Sequence, residues 1–154
     1  MTTNKYFCAS LNKILKYGLN VVFLNQSNIY LMRRVLVCDD DATISEVVAI
    51  ILVDRNLAEV YTISNCDNII EKIEELKPSL IFMDNKIPTD GGVIATQTIK
   101  SHPVHKSIPV VYFTANQDID KLAENAGADY TLAKPFSIDQ LEEVVNRAYN
   151  DGKA

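Results

Sequence analysis

No stretch of this chain reaches the roughly 18 uninterrupted apolar residues of a membrane span. Near the N-terminus the apolar residues are broken by Lys13 and Lys16, and no small-residue cleavage site follows. A secretory signal is therefore not expected, and a cytoplasmic location is. Cysteine is scarce and odd in number. Cys8, Cys38 and Cys66 include no C-x-x-C pair, which argues against a disulfide framework or a zinc site and for reduced thiols. An excess of positive charge is also lacking: 15 basic against 20 acidic residues leave a net charge of −5. A chain built to grip phosphate backbones usually carries the opposite sign, so direct nucleic-acid binding is not expected. Gly91-Gly92 lacks the spacing of a nucleotide-binding loop and suits a turn. Internal repeats and low-complexity tracts are absent.

Acidic residues are themselves missing from residues 1–32, which hold three lysines and carry +3, whereas the remainder carries −8. This divides the chain into an extension over 1–31, of uncertain structure, and a domain over 32–154. Met32 stands immediately before Arg33-Arg34-Val35, where such a domain would naturally start. The extension is expected to be dispensable, the product of a miscalled start codon. The competing reading is an accessory helix striped by Leu11, Ile14, Leu15 and Val22, with Gly18 and the asparagines weakening it.

What is present suits one globular domain with a proper core: 154 residues, 47% hydrophobic and 23% charged. From Arg33 onward, short apolar runs alternate with helical patterns, which predicts βα units around a parallel sheet. The strand candidates are Val35–Cys38, Val60–Ile63, Leu80–Met83, Val110–Phe113 and Tyr130–Ala133. Most are continuously apolar, as strands covered on both faces by helices should be. Ile44, Val47, Val48 and Ile51 recur at helical spacing and predict the buried face of a first helix. A second spans about Asp67 to Leu76, with Ile69, Ile73 and Leu76 inward and Pro78 barring its continuation. A third covers Val93 to Lys100. A fourth covers Asp118 to Asn125, with Gly127 as its C-terminal cap. The fifth opens on a Ser137/Gln140 capping box and buries Leu141, Val144 and Ala148. The fold class is therefore α/β, a doubly wound (βα)5 sheet of five parallel strands.

The polar interruptions carry the chemistry. The first strand ends in Asp39-Asp40-Asp41, the third in Asp84, the fourth in Thr114, and the fifth in Lys134-Pro135. Ligand sites of open parallel sheets form outside the carboxyl ends of the strands, so these groups share one edge. Asp41, adjacent to the first helix, reads as its N-cap. Clustered carboxylates need positive charge among them. Lys134 supplies one, and a divalent ion bridging Asp39 or Asp40 to Asp84 supplies another. Mg²⁺ suits that role, because it takes one or two carboxylates plus phosphate oxygens. Asp84 is then a carboxylate nucleophile toward a phosphoryl group, with Thr114 and Lys134 neutralising its oxygens.

These motifs, V-L-V-C-D-D-D, L-I-F-M-D-N-K-I-P, V-V-Y-F-T-A and A-K-P-F, resemble the receiver domain of two-component response regulators, over residues 33–150. The resemblance is to the single-domain, chemotaxis-regulator-like type with a flavodoxin-like fold. It implies that Asp39 and Asp40 hold Mg²⁺ and that Asp84 is the phosphoacceptor. Thr114 would be the switch hydroxyl, and Lys134 the contact to the phosphoryl group. It further implies a metal contact from the backbone carbonyl of Asn85 and a cis peptide at Lys134–Pro135. The donor would be a histidine of a sensor kinase or phosphotransfer protein. Only 20 residues follow Lys134, so output is expected through contact with another protein. One departure stands out: the aromatic usual three residues before the lysine is replaced by Thr131, and Tyr130 faces the other side of its strand. His102 and His105 read as exposed loop residues. Asp39-x-Asp41-x-Thr43 also fits the opening motif of haloacid-dehalogenase-type phosphatases, but no acid pair ends a strand after Lys134, and that family has no counterpart of Asp84.

Overall fold

The computed structural model describes residues 33–88 and 91–151; the extension over 1–31 lies outside them. Five strands form one parallel sheet: β1 (Arg34–Cys38), β2 (Glu59–Ile63), β3 (Leu80–Met83), β4 (Val110–Thr114) and β5 (Tyr130–Ala133). Five helices alternate with them: α1 (Ala42–Asp54), α2 (Ile69–Leu76), α3 (Gly91–Ser101), α4 (Ile119–Ala126) and α5 (Ile138–Asp151). The strand order is β2-β1-β3-β4-β5. The chain therefore reverses its winding between β1 and β3, which opens a crevice at the carboxyl ends of those two strands.

Both faces of the sheet are covered, and alternation along each strand divides the core in two. Val35, Val37, Phe82, Val111, Phe113 and Leu132 pack beneath α1 and α5. Leu36, Cys38, Ile81, Met83, Val110 and Tyr112 pack beneath α2, α3 and α4. The central strands β3 and β4 are buried at every residue, as their unbroken apolar runs predict. Edge strands β2 and β5 are only partly covered. Among the described residues no helix is long and apolar enough to cross a membrane.

Local signals act as expected at several helix ends. The Asp41 carboxylate accepts from the amides of Thr43 (2.8 Å) and Ile44 (3.3 Å) and caps α1. Ser137 and Gln140 exchange hydrogen bonds of 2.8 and 3.2 Å at the head of α5. Gly127 closes α4 with φ +74°. In α1, Val48 is buried and Ile44 and Ile51 pack against the core as expected, joined by Ser45, Ala49 and Leu52, whereas Val47 is 41% exposed. This helix is apolar almost all round, so periodicity alone cannot select a face, and contact with β1 and β2 does.

Candidate functional site

Hydrogen bonding between strands continues one residue past each strand end and fixes the key side chains. The amide of Asp39 donates to the Ile63 carbonyl (3.1 Å), that of Asp84 to Cys38 (2.9 Å), and that of Lys134 to Thr114 (2.9 Å). Three of the four ladders thus hold Asp39, Asp84 and Lys134 on rigid backbone at one edge, although each follows the last regular strand residue.

There Lys134 Nζ donates to Asp39 Oδ2 at 2.6 Å and to Asp84 Oδ1 at 2.8 Å, bridging residues 95 and 50 positions away. The remaining oxygens are also engaged. Asp39 Oδ1 accepts from the Asp41 amide (3.0 Å) and Asp84 Oδ2 from the Lys86 amide (2.6 Å). Asp39 and Asp84 are only 3% and 5% exposed, and Thr114 only 2%. Burial pushes the Asp39 carboxyl above its ordinary range and nearby Asp84 adds to this, while Lys134 and the Asp41 amide work the other way. Lys134 Nζ also lies 4.1 Å from the centroid of the Phe113 ring, a cation–π contact.

Asp40 is exposed but completes a cluster. Carboxylate oxygens of Asp39, Asp40 and Asp84 all lie within 4.8 Å of one another. Three convergent carboxylates, one open to solvent, fit a hard divalent cation that keeps some of its waters. The backbone carbonyl of Asn85 accepts from the Gly92 amide at 3.2 Å, at the start of α3. Gly92 sits so close to the end of β3 that a Cβ there would overlap the Asp84 carbonyl oxygen, which explains the glycine beyond a mere turn.

The Lys134–Pro135 peptide is cis, as expected. Tyr130 turns away from Thr131: its hydroxyl donates to Asp151 Oδ2 at 2.9 Å on the α5 side. Tyr112, read from the sequence only as part of an apolar run, has a polar role. Its hydroxyl donates to Asn85 Oδ1 at 2.6 Å, and burial, with Asp84 nearby, pushes its pKa up to about 12. A single tyrosine inside an otherwise apolar strand was the available signal. His102 and His105 are half-buried rather than exposed. Their rings stack at 4.5 Å, and His102 Nδ1 accepts from the amides of Val104 and His105. They serve the α3–β4 connection, near the start of β4 and away from the carboxylates. Cys38 and Cys66 are buried free thiols.

Residues 35–146 match the family described as the response regulator receiver domain. The chain belongs to that family. This receiver is 34% identical over 118 residues to the transcriptional regulatory protein PdtaR of Mycobacterium tuberculosis, covering 75% of this chain and 56% of PdtaR. It is 30% identical to the chemotaxis protein CheY of Bacillus subtilis, covering 76% of this chain and 98% of CheY. It thus spans about half the length of PdtaR and nearly all of CheY. A putative response regulator from Chloroflexus aurantiacus superposes with a TM-score of 0.72 at 26% identity, over 77% of this chain and 98% of that one. Receivers are phosphorylation switches that generally bind Mg²⁺ at an acidic pocket, and this chain has the matching aspartate cluster.

Proposed function

We propose that this receiver works as a stand-alone cytoplasmic response regulator that accepts a phosphoryl group on Asp84. The observation that carries the reading is the Lys134 ammonium bridging buried Asp39 and Asp84 beside exposed Asp40. A carboxylate set between an ammonium and a metal-competent pair is poised to attack phosphorus. The similarity to CheY over nearly its whole length supports the stand-alone reading.

In the forward step an Asp84 oxygen forms a bond to phosphorus while the P–N bond of a phosphohistidine breaks. The electron pair leaves on the imidazole nitrogen, which takes a proton from solvent. The phosphohistidine belongs to a sensor histidine kinase or a phosphotransfer protein. Asp39, Asp40 and Asp84 would hold Mg²⁺, which would neutralise charge on the phosphoryl oxygens. The Lys134 ammonium pairs with another of those oxygens, and the Thr114 hydroxyl donates to one as the switch contact. Hydrolysis of the acyl phosphate returns the carboxylate and inorganic phosphate, so the chain catalyses only its own phosphorylation and dephosphorylation.

Phosphorylation adds roughly −1.5 to −2 charges by analogy with phosphorylated hydroxyls. Inverting a two-state population from about 1:99 to 99:1 takes about 5.5 kcal/mol of differential stabilisation. Contacts from Lys134, Thr114 and the metal to the new group are of the right kind to supply it, and the altered surface then binds a protein target. The test uses acetyl phosphate with Mg²⁺. Intact mass should rise by one phosphoryl group, and Asp84→Asn should abolish the gain. Full modification of the mutant overturns the assignment.

A further inference from the structure

Strand β4 alternates its side chains between the two halves of the core. Val111 and Phe113 face α1 and α5; Val110 and Tyr112 face the other side. Tyr112 is wholly buried, and a buried phenol needs a partner. That partner is the Asn85 side chain, at 2.6 Å. Asn85 is the residue immediately after Asp84, and the next amide, of Lys86, donates to Asp84 Oδ2 at 2.6 Å. The direction of that amide is set by the Asn85–Lys86 peptide. Asn85 is held from two sides, through its carbonyl by the Gly92 amide and through its side chain by Tyr112. The phenol thus acts on the nucleophile through one intervening residue.

Register adds a second fact. Tyr112 lies directly opposite Thr131 in the β4–β5 ladder, so both point to the same face of the sheet. The ring absent from position 131 is therefore present one strand further in, on the same face, and it is joined to the phosphoacceptor loop.

We infer that Tyr112 is a positioning residue for phosphoryl acceptance: by fixing Asn85 it aims the Lys86 amide at Asp84 and so orients the attacking carboxylate. This rests on Asp84 being the acceptor. It makes Tyr112 distinct from the core aromatics Phe82 and Phe113, which pack edge to face on the opposite side.

The experiment compares the full chain with Tyr112→Phe, Asn85→Ala and the double variant. Phosphorylation is followed across a range of acetyl phosphate at saturating Mg²⁺, with melting temperature measured alongside. Tyr112→Phe keeps the ring and removes only the hydroxyl. It should lower the limiting phosphorylation rate roughly two- to tenfold, the factor expected for one net hydrogen bond, and leave half-saturating acetyl phosphate unchanged. Asn85→Ala should do the same. The double variant should be no slower than the slower single variant, because both remove the same link. An unchanged rate in Tyr112→Phe, even with a lower melting temperature, overturns the inference, as do effects that multiply in the double variant. Failure of the underlying reading looks different: the parent chain itself would gain no phosphoryl group, and the inference would fall with it.

Discussion

Replacing Lys134 with methionine isolates the electrostatics of the site. Methionine keeps an unbranched side chain and removes the ammonium, together with its contact to the Phe113 ring. Two carboxylates then face each other without a cation, their side chains 1% and 7% exposed. Breaking a buried ion pair by removing one partner costs about 3–5 kcal/mol. The lysine is itself 13% exposed and reaches solvent, so the lower end applies, about 3 kcal/mol. For a domain of this size that is a fall of roughly 10 °C in melting temperature. The loss should depend on pH. In the parent, burial and Asp84 already hold the Asp39 carboxyl above its ordinary value of 3.8, with Lys134 opposing them. Without the lysine the folded-state value moves higher still. A carboxyl raised by folding binds more protons folded than unfolded, so stability is greatest below the unfolded value and is lost as pH rises through the folded one. Lys134→Met should therefore recover stability relative to the parent between pH 7 and pH 5. Mg²⁺ at a hundred times its Kd should return about 2.7 kcal/mol. Urea titrations at both pH values, with and without Mg²⁺, measure all of this. A variant melting within about 2 °C of the parent at pH 7, with an unchanged pH slope, would refute the account, since a shift of that size corresponds to well under 1 kcal/mol.

Gly92→Ala should destabilise by about 1–3 kcal/mol, because the new methyl meets backbone of Asp84 rather than a movable side chain; it should also slow phosphorylation, checked by urea midpoint and intact mass. Replacing Asp39 and Asp40 together with alanine should abolish Mg²⁺ binding in calorimetry. The metal-free fold should be at least as stable as the parent, because a buried carboxylate held above its ordinary range is removed. Binding as tight as the parent's would show that the metal lies elsewhere.

The (βα)5 order, the position of each strand and the polar residues at the strand ends were legible because they depend on short windows of sequence. A run such as Leu80–Met83 is buried wherever a parallel sheet places it, and a capping Asp41 acts within three residues. Strand ends shifted by a single residue at β1, β2 and β4. What escaped was decided by neighbours distant in the chain. The exposure of Val47 on α1 followed the sheet that helix lies on, because its apolar residues run almost all round it. Tyr112 looked like one more core aromatic, and nothing local separates a phenol beside an amide from one beside methyl groups. Sequence alone therefore determined which residues could do the chemistry, since strand ends are local. Only the tertiary structure decided which of them meet, because strand register sets partners such as Lys134 and Asp39, 95 residues apart.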